Sequence, residues 1–138
     1  MYITSLLLVT ILIPCAQSVK ATLKLTFSPD EKYFTVDQPV DIGCDLLNPN
    51  DASDAAQLWH VDFKTGKYTP ISRSLFSSPP DDAPDTFKKN KLKRVEYMRK
   101  NHIRILRLAV EDSARYECTC PDCEEPLVKE LLTVKTLE

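Results

Sequence analysis

The chain has almost no glycine: Gly43 and Gly66 are the only two among 138 residues. A loop that cradles phosphate with backbone N–H groups needs at least two glycines close together, so the common nucleotide-binding loops are excluded. Histidine is nearly as scarce. His60 and His102 are the only two, neither lies in H-E-x-x-H, and no G-x-S-x-G occurs. With no catalytic constellation, the expectation is a protein that is not an enzyme, holds no metal and needs no cofactor. None of Asn48, Asn50, Asn90 and Asn101 begins an N-x-S/T sequon, so surface charge has to keep the chain in solution. Sustained helical periodicity is missing as well. Beyond the N-terminal run, no apolar stretch is long enough to cross a hydrocarbon layer of about 30 Å.

Charge is missing from one end. Residues 1–18, MYITSLLLVTILIPCAQS, carry none. Their apolar run from Ile3 to Ile13 is short for a membrane span, and Ala16-Gln17-Ser18 puts small residues where signal peptidase cuts. These features predict a signal peptide over 1–18, a single domain over 19–138 and a secreted, extracellular protein. Nucleic acid is not an expected partner there. Cleavage would remove Cys15 and leave Cys44, Cys118, Cys120 and Cys123. An even number of cysteines in a small secreted chain points to disulfides, and four allow three pairings.

What the mature chain does have is alternation of period two. Ala21–Phe27 puts Leu23, Leu25 and Phe27 on one side. Phe34–Leu46 aligns Val40, Ile42, Cys44 and Leu46. In Leu58–Phe63 the pattern predicts Trp59, Val61 and Phe63 inward with His60 and Asp62 outward. Short strands are also expected at Tyr68–Ile71, near Arg94–Met98, at Ile103–Leu108 and at Leu127–Val134, with turn chemistry at Asn48–Ala52. Ser77–Pro84, with three prolines and two acids, reads as an exposed loop without a core face. Many short strands separated by turns predict an all-β fold.

A cysteine on the second strand (Cys44), a tryptophan on the third (Trp59) and Asp112-Ser113-Ala114-Arg115-Tyr116-Glu117-Cys118 near the end resemble the immunoglobulin superfamily. Ile103, Ile105 and Leu108 fit its pattern before the E-D-S turn, and Leu132-Thr133-Val134 its last strand. The resemblance spans about residues 21–136 and implies a V-type or intermediate-type domain, a two-sheet Greek-key sandwich. It implies a Cys44–Cys118 bridge across the core with Trp59 packed on the sulfurs. It also implies a buried Tyr116 whose hydroxyl returns to backbone, and an ion pair between Asp112 and Arg94. The expected function is recognition of an extracellular protein, as a soluble receptor, ligand, immune factor or adhesion factor. The face built from the third, fourth and last two strands would carry it, with His60, Asp62, Tyr68, Glu117, Thr119 and Asp122 as outward candidates.

Two features allow other readings. Cys120 and Cys123 flank Pro121-Asp122, a turn in which proline is pre-set for type I geometry. A bridge there would staple a hairpin for about 2 kcal/mol in the chain-entropy model. The alternatives are a free or intermolecular pair, a thiol–disulfide catalyst, or zinc. The catalyst would require a βαβ context, and zinc four ligands. The second feature is basic: from Lys88 to Arg107 nine bases face one acid, Glu96, in a chain of net charge −2. Lys88, Lys89, Lys91 and Lys93 are candidates for holding a polyanion such as a sulfated glycan; the bland reading is a solvated edge that resists aggregation.

Overall fold

The computed structural model describes residues 21–47 and 56–136. The expected signal at 1–18 and the expected turn at 48–52 lie outside them. The described chain is mostly β, with ten strands: β1 (Thr22–Ser28), β2 (Phe34–Thr35), β3 (Val40–Leu47), β4 (Gln57–Val61), β5 (Tyr68–Pro70), β6 (Val95–Arg99), β7 (His102–Ile105), β8 (Ala114–Thr119), β9 (Leu127–Leu132) and β10 (Val134–Lys135). They form one antiparallel sheet in the order β1-β3-β7-β6, a second in the order β5-β4-β8-β9, and a parallel pair β10-β2.

Alternation explains β1 and β3. Leu23, Leu25 and Phe27 are buried and Lys24 is exposed; Leu25 stands opposite Cys44 and Phe27 opposite Ile42. The stretch Phe34–Leu46, expected as one strand, is two. Asp37 adopts a left-handed φ of 74° and Pro39 has no N–H to give, so β2 ends before them and pairs with β10 instead. One continuous core takes residues from both large sheets, including Phe27, Ile42, Ile103 and Ile105 from the first and Leu58, Tyr116, Cys118 and Leu132 from the second. Each such large side chain contributes about 1.5–3 kcal/mol when fully buried.

Two links tie the sheets together. Cys44 on β3 is bonded to Cys118 on β8, with their Cα atoms 5.9 Å apart and the two residues 74 positions apart in sequence. Closing a loop of that length stabilises the fold by about 4–5 kcal/mol in the chain-entropy model. The other link is Asn101, in the turn between β6 and β7. It is buried with a φ of 62°, a conformation asparagine tolerates better than most residues. Its Oδ1 accepts from the Leu58 N–H at 3.0 Å and its Nδ2 donates to the Ala56 carbonyl at 2.9 Å. Its own carbonyl accepts from the Cys44 N–H at 3.0 Å.

Strand β4 reverses the expected facing. Leu58 stands opposite Cys118 and His60 opposite Tyr116, and both are buried toward the core while Trp59 is only half-buried. Val61, expected inward, is buried too, but on the Trp59 side of the strand and outside the core cluster. Trp59 therefore does not pack on the sulfurs; it lies on the other face. Phe63, also expected inward, falls in the turn after β4 and is exposed. A one-residue offset in register exchanges the two faces of a strand.

The segment 72–94 is folded, not a plain loop. Ser72 Oγ accepts from the Leu75 N–H and starts α1 (Arg73–Ser77). Two short 3-10 turns follow, at Asp85–Phe87 and Lys89–Arg94. Ala83, inside the stretch expected to lack a core face, is buried because the chain folds back through a bond from its N–H to the Pro80 carbonyl. Phe87 is fully buried, with its ring edge-on to His60 at 5.4 Å and to Phe76 at 5.6 Å.

Replacing Asn101 with alanine strands a buried N–H and a buried carbonyl and puts at positive φ a residue that tolerates it less well than asparagine. Each orphaned group costs about 1–3 kcal/mol. Urea unfolding is expected to show Asn101→Ala losing about 3 kcal/mol, with Asn101→Gly recovering about 1 kcal/mol of that through its permissive φ. A loss below 1 kcal/mol in the alanine variant would rule out this role.

Candidate functional site

Strand β8 places Tyr116 and Cys118 toward the core and Arg115, Glu117 and Thr119 on the opposite side. Cross-strand pairing then assembles an outer face on the sheet β5-β4-β8-β9. Trp59 stands opposite Glu117, Val61 opposite Arg115 and Tyr68 opposite Val61. On β9, Leu127, Lys129 and Leu131 stand opposite Thr119, Glu117 and Arg115.

The centre of this face is a hydrogen-bonded acid. The Tyr68 hydroxyl lies 3.0 Å from both carboxylate oxygens of Glu117. Arg115 Nε donates to Glu117 Oε2 at 2.8 Å, which raises the guanidinium pKa above its ordinary value. Glu117 is 2% exposed, so it is not the free outward residue expected; neighbours on the face cover it. A carboxylate this buried has to be paired. Beside it, Trp59 Nε1 donates to Thr119 Oγ1 at 2.9 Å and the indole meets the Tyr68 ring edge-on at 6.0 Å. Tyr68, Leu127 and Leu131 are exposed. A fixed polar centre flanked by aromatic and aliphatic surface has the composition of a protein-binding patch.

Of the six outward candidates, the structure brings Tyr68, Glu117 and Thr119 together and adds Trp59, which sequence reading assigned to the core. His60 and Asp62 are elsewhere. His60 is 3% exposed and lies between the Tyr116 and Phe87 rings, 5.4 Å from each. Asp62 uses Oδ2 to accept from the Thr65 N–H at 2.8 Å and the Lys64 N–H at 3.0 Å, so it shapes a turn, and those bonds lower its pKa. Asp122 is exposed in the loop bridged by Cys120 and Cys123. Both of those cysteines are buried, and neighbouring backbone holds the loop: the Cys120 N–H donates to the Pro126 carbonyl and the Glu124 N–H to the Ala21 carbonyl. Among the described residues no group of three or more His, Cys, Asp or Glu side chains is placed to hold a metal ion.

Among the framework residues, Trp59 and the Tyr116 hydroxyl depart from expectation. Asp112, fully buried, pairs with Arg94 at 3.2 Å and also accepts from Thr86 Oγ1 at 2.7 Å and the Ala109 N–H at 2.8 Å. The Tyr116 ring is buried, but its hydroxyl has no hydrogen-bond partner and does not return to backbone. Burial, helped by the Asp112 carboxylate, pushes the phenol pKa far up. The basic run is divided. Lys88 meets Asp85 at 2.9 Å, Lys91 lies 3.9 Å from Glu111 and Arg94 is committed to Asp112, while Lys89 and Lys93 project from the 3-10 turn.

No helix of the described residues is long and apolar enough to cross a membrane, and two disulfides are compatible with an extracellular protein. No family model matches the chain, and no curated protein matches it.

Burial lowers the His60 pKa from 6.5 to about 4, against the opposing pull of the Asp62 and Asp112 carboxylates. Above pH 6.5 the ring is neutral in both folded and unfolded chains. Between pH 6.5 and 4 the unfolded chain takes up a proton that the folded chain refuses, so stability falls as pH falls. Between pH 7 and 4, His60 is expected to remove roughly 3 kcal/mol. Urea unfolding at the two pH values should show His60→Phe losing less than the parent protein by about that amount. Equal losses in the two proteins would contradict a buried neutral imidazole.

Proposed function

We propose that this chain is a secreted immunoglobulin-like module, a two-sheet Greek-key sandwich of V-type or intermediate-type, that recognises an extracellular protein through the outer face of β5-β4-β8-β9. Four features support the fold assignment: the strand orders β1-β3-β7-β6 and β5-β4-β8-β9, the bridge from β3 to β8, Tyr116 two residues before Cys118, and the Asp112–Arg94 pair. The half-buried Trp59 on the outer side of β4 departs from that pattern and adds to the binding face.

The observation that carries the functional reading is the Tyr68–Glu117–Arg115 network between Trp59 and the exposed Leu131. Tyrosine, tryptophan and arginine concentrate binding energy at interfaces, and a few central residues dominate it. A polyanion reading has less support, because Lys88 and Arg94 already meet carboxylates of the same chain.

Leu131 is about half exposed, so Leu131→Asp is expected to leave the unfolding midpoint unchanged. Immobilised parent protein should capture a partner from extracellular fluid by cross-linking and mass spectrometry. The variant should capture about tenfold less or worse, as expected for a residue worth more than 1 kcal/mol at an interface. Equal capture by the two proteins, or no specific partner for the parent, would overturn the proposal.

A further inference from the structure

At the end of the second sheet where β4 turns into β5 there is a cleft of about 410 Å³. Its walls come from the Asp62–Lys67 turn, the Asp82–Thr86 segment and Glu111, and His60 belongs to its lining. It shares no lining residue with the Trp59–Tyr68–Glu117 face. That volume falls within the range of ordinary ligand sites, roughly 300–1,000 Å³.

Two independent observations point to a ligand. The first is an unmet hydrogen-bonding demand. Among the described residues three buried side-chain polar atoms lack a partner: His60 Nδ1, Thr69 Oγ1 and Tyr116 OH. Buried polar atoms are nearly always satisfied. These three form one row across the sheet, because Thr69 stands opposite His60 on β5 and Tyr116 opposite His60 on β8. Of the three, His60 lines the cleft. The second observation is the sign of the charge. Asp62, Asp82, Asp85 and Glu111 line the cleft against one cation, Lys67. Lys67 is spent on Asp82, meeting its carboxylate at 2.7 Å and its carbonyl at 3.0 Å. Lys88 and Lys91 offset Asp85 and Glu111 from outside the lining, Lys91 only at 3.9 Å from Glu111, and Lys64 of the turn adds to the positive field at Asp85. Asp62 keeps a full carboxylate charge while Oδ2 closes its turn.

We infer that this cleft is a binding site for a guanidinium or ammonium group, held by Asp62, Asp85 and Glu111 with the buried His60 imidazole in its wall. The group could be supplied in two ways: by an arginine or lysine side chain of a partner protein, or by a free small cation. A planar guanidinium matches paired carboxylates by forked hydrogen bonds.

Titration of the isotope-labelled folded protein with N-acetyl-arginine amide, followed by NMR, tests this. The expected result is saturable shifts of Thr65, Thr86 and the His60 ring, with N-acetyl-lysine amide acting at the same residues. The neutral isostere N-acetyl-citrulline amide should bind at least about tenfold more weakly, the discrimination expected of a charge-selective site. Glu111→Gln and Asp85→Asn, both at exposed positions, should together weaken arginine binding by about tenfold while the other backbone resonances keep their positions. A short peptide with a central arginine separates the two sources. Tighter binding of the peptide than of the amide assigns the cleft to a partner side chain, and equal binding assigns it to a small cation. No saturable shift, shifts that map outside the cleft, or equal binding of citrulline would each overturn the inference.

Discussion

The pairing of β4 with β8 governs this structure. Leu58 is set opposite Cys118 and His60 opposite Tyr116. Cys118 is bonded to Cys44 across the core, so the inner face of β8 is fixed, and through the pairing so is that of β4. The Leu58 N–H is held in turn by Asn101. Every other consequence follows from the period of two: Trp59 goes outward to Thr119 and Tyr68, and His60 goes inward to the aromatic rings. Moving β4 by one residue would exchange these faces, burying the indole and freeing the imidazole.

The two disulfides act at different ranges. Cys44–Cys118 closes a span of 74 residues and restricts the whole unfolded chain, whereas Cys120–Cys123 closes a span of 3. In the chain-entropy view the short bridge stabilises less, and its effect is local. It keeps the loop between β8 and β9 compact while Asp122 and the neighbouring acids stay in water.

Sequence reading succeeded where one face of a strand was apolar and the other polar. β1 and β3 are of that kind, with Lys24 exposed between buried leucines. It failed at β4 because Leu-Trp-His-Val offers apolar groups to both sides, so periodicity alone cannot choose. The buried polar residue in that stretch, His60, is stabilised by rings contributed from β8 and from Phe87, and neither contact is local in sequence. Phe87 itself was hidden because it sits between a proline-rich segment and a lysine-rich one, where no pattern marks a core position. Thr86, which completes the shell of Asp112, was hidden for the same reason. Glu117 looked like surface because acids usually are; it is held by Tyr68 of β5 and Arg115 of β8, with Trp59 of β4 and Lys129 of β9 as its cross-strand neighbours. The Asp112–Arg94 pair was visible only through family resemblance, since 18 residues separate the two in sequence.

The Tyr68–Glu117 contact has a consequence for the speed and strength of any encounter on that face. An exposed tyrosine ordinarily samples several rotamers, and ordering such a side chain on association costs about 0.5–1.5 kcal/mol. Here the hydroxyl is tethered to both oxygens of a carboxylate that Arg115 also holds, and the ring rests edge-on against Trp59. The aromatic is therefore already oriented before anything arrives. What docks there meets a surface with little left to lose in conformational freedom, and rigid-body fit becomes the main test of a partner.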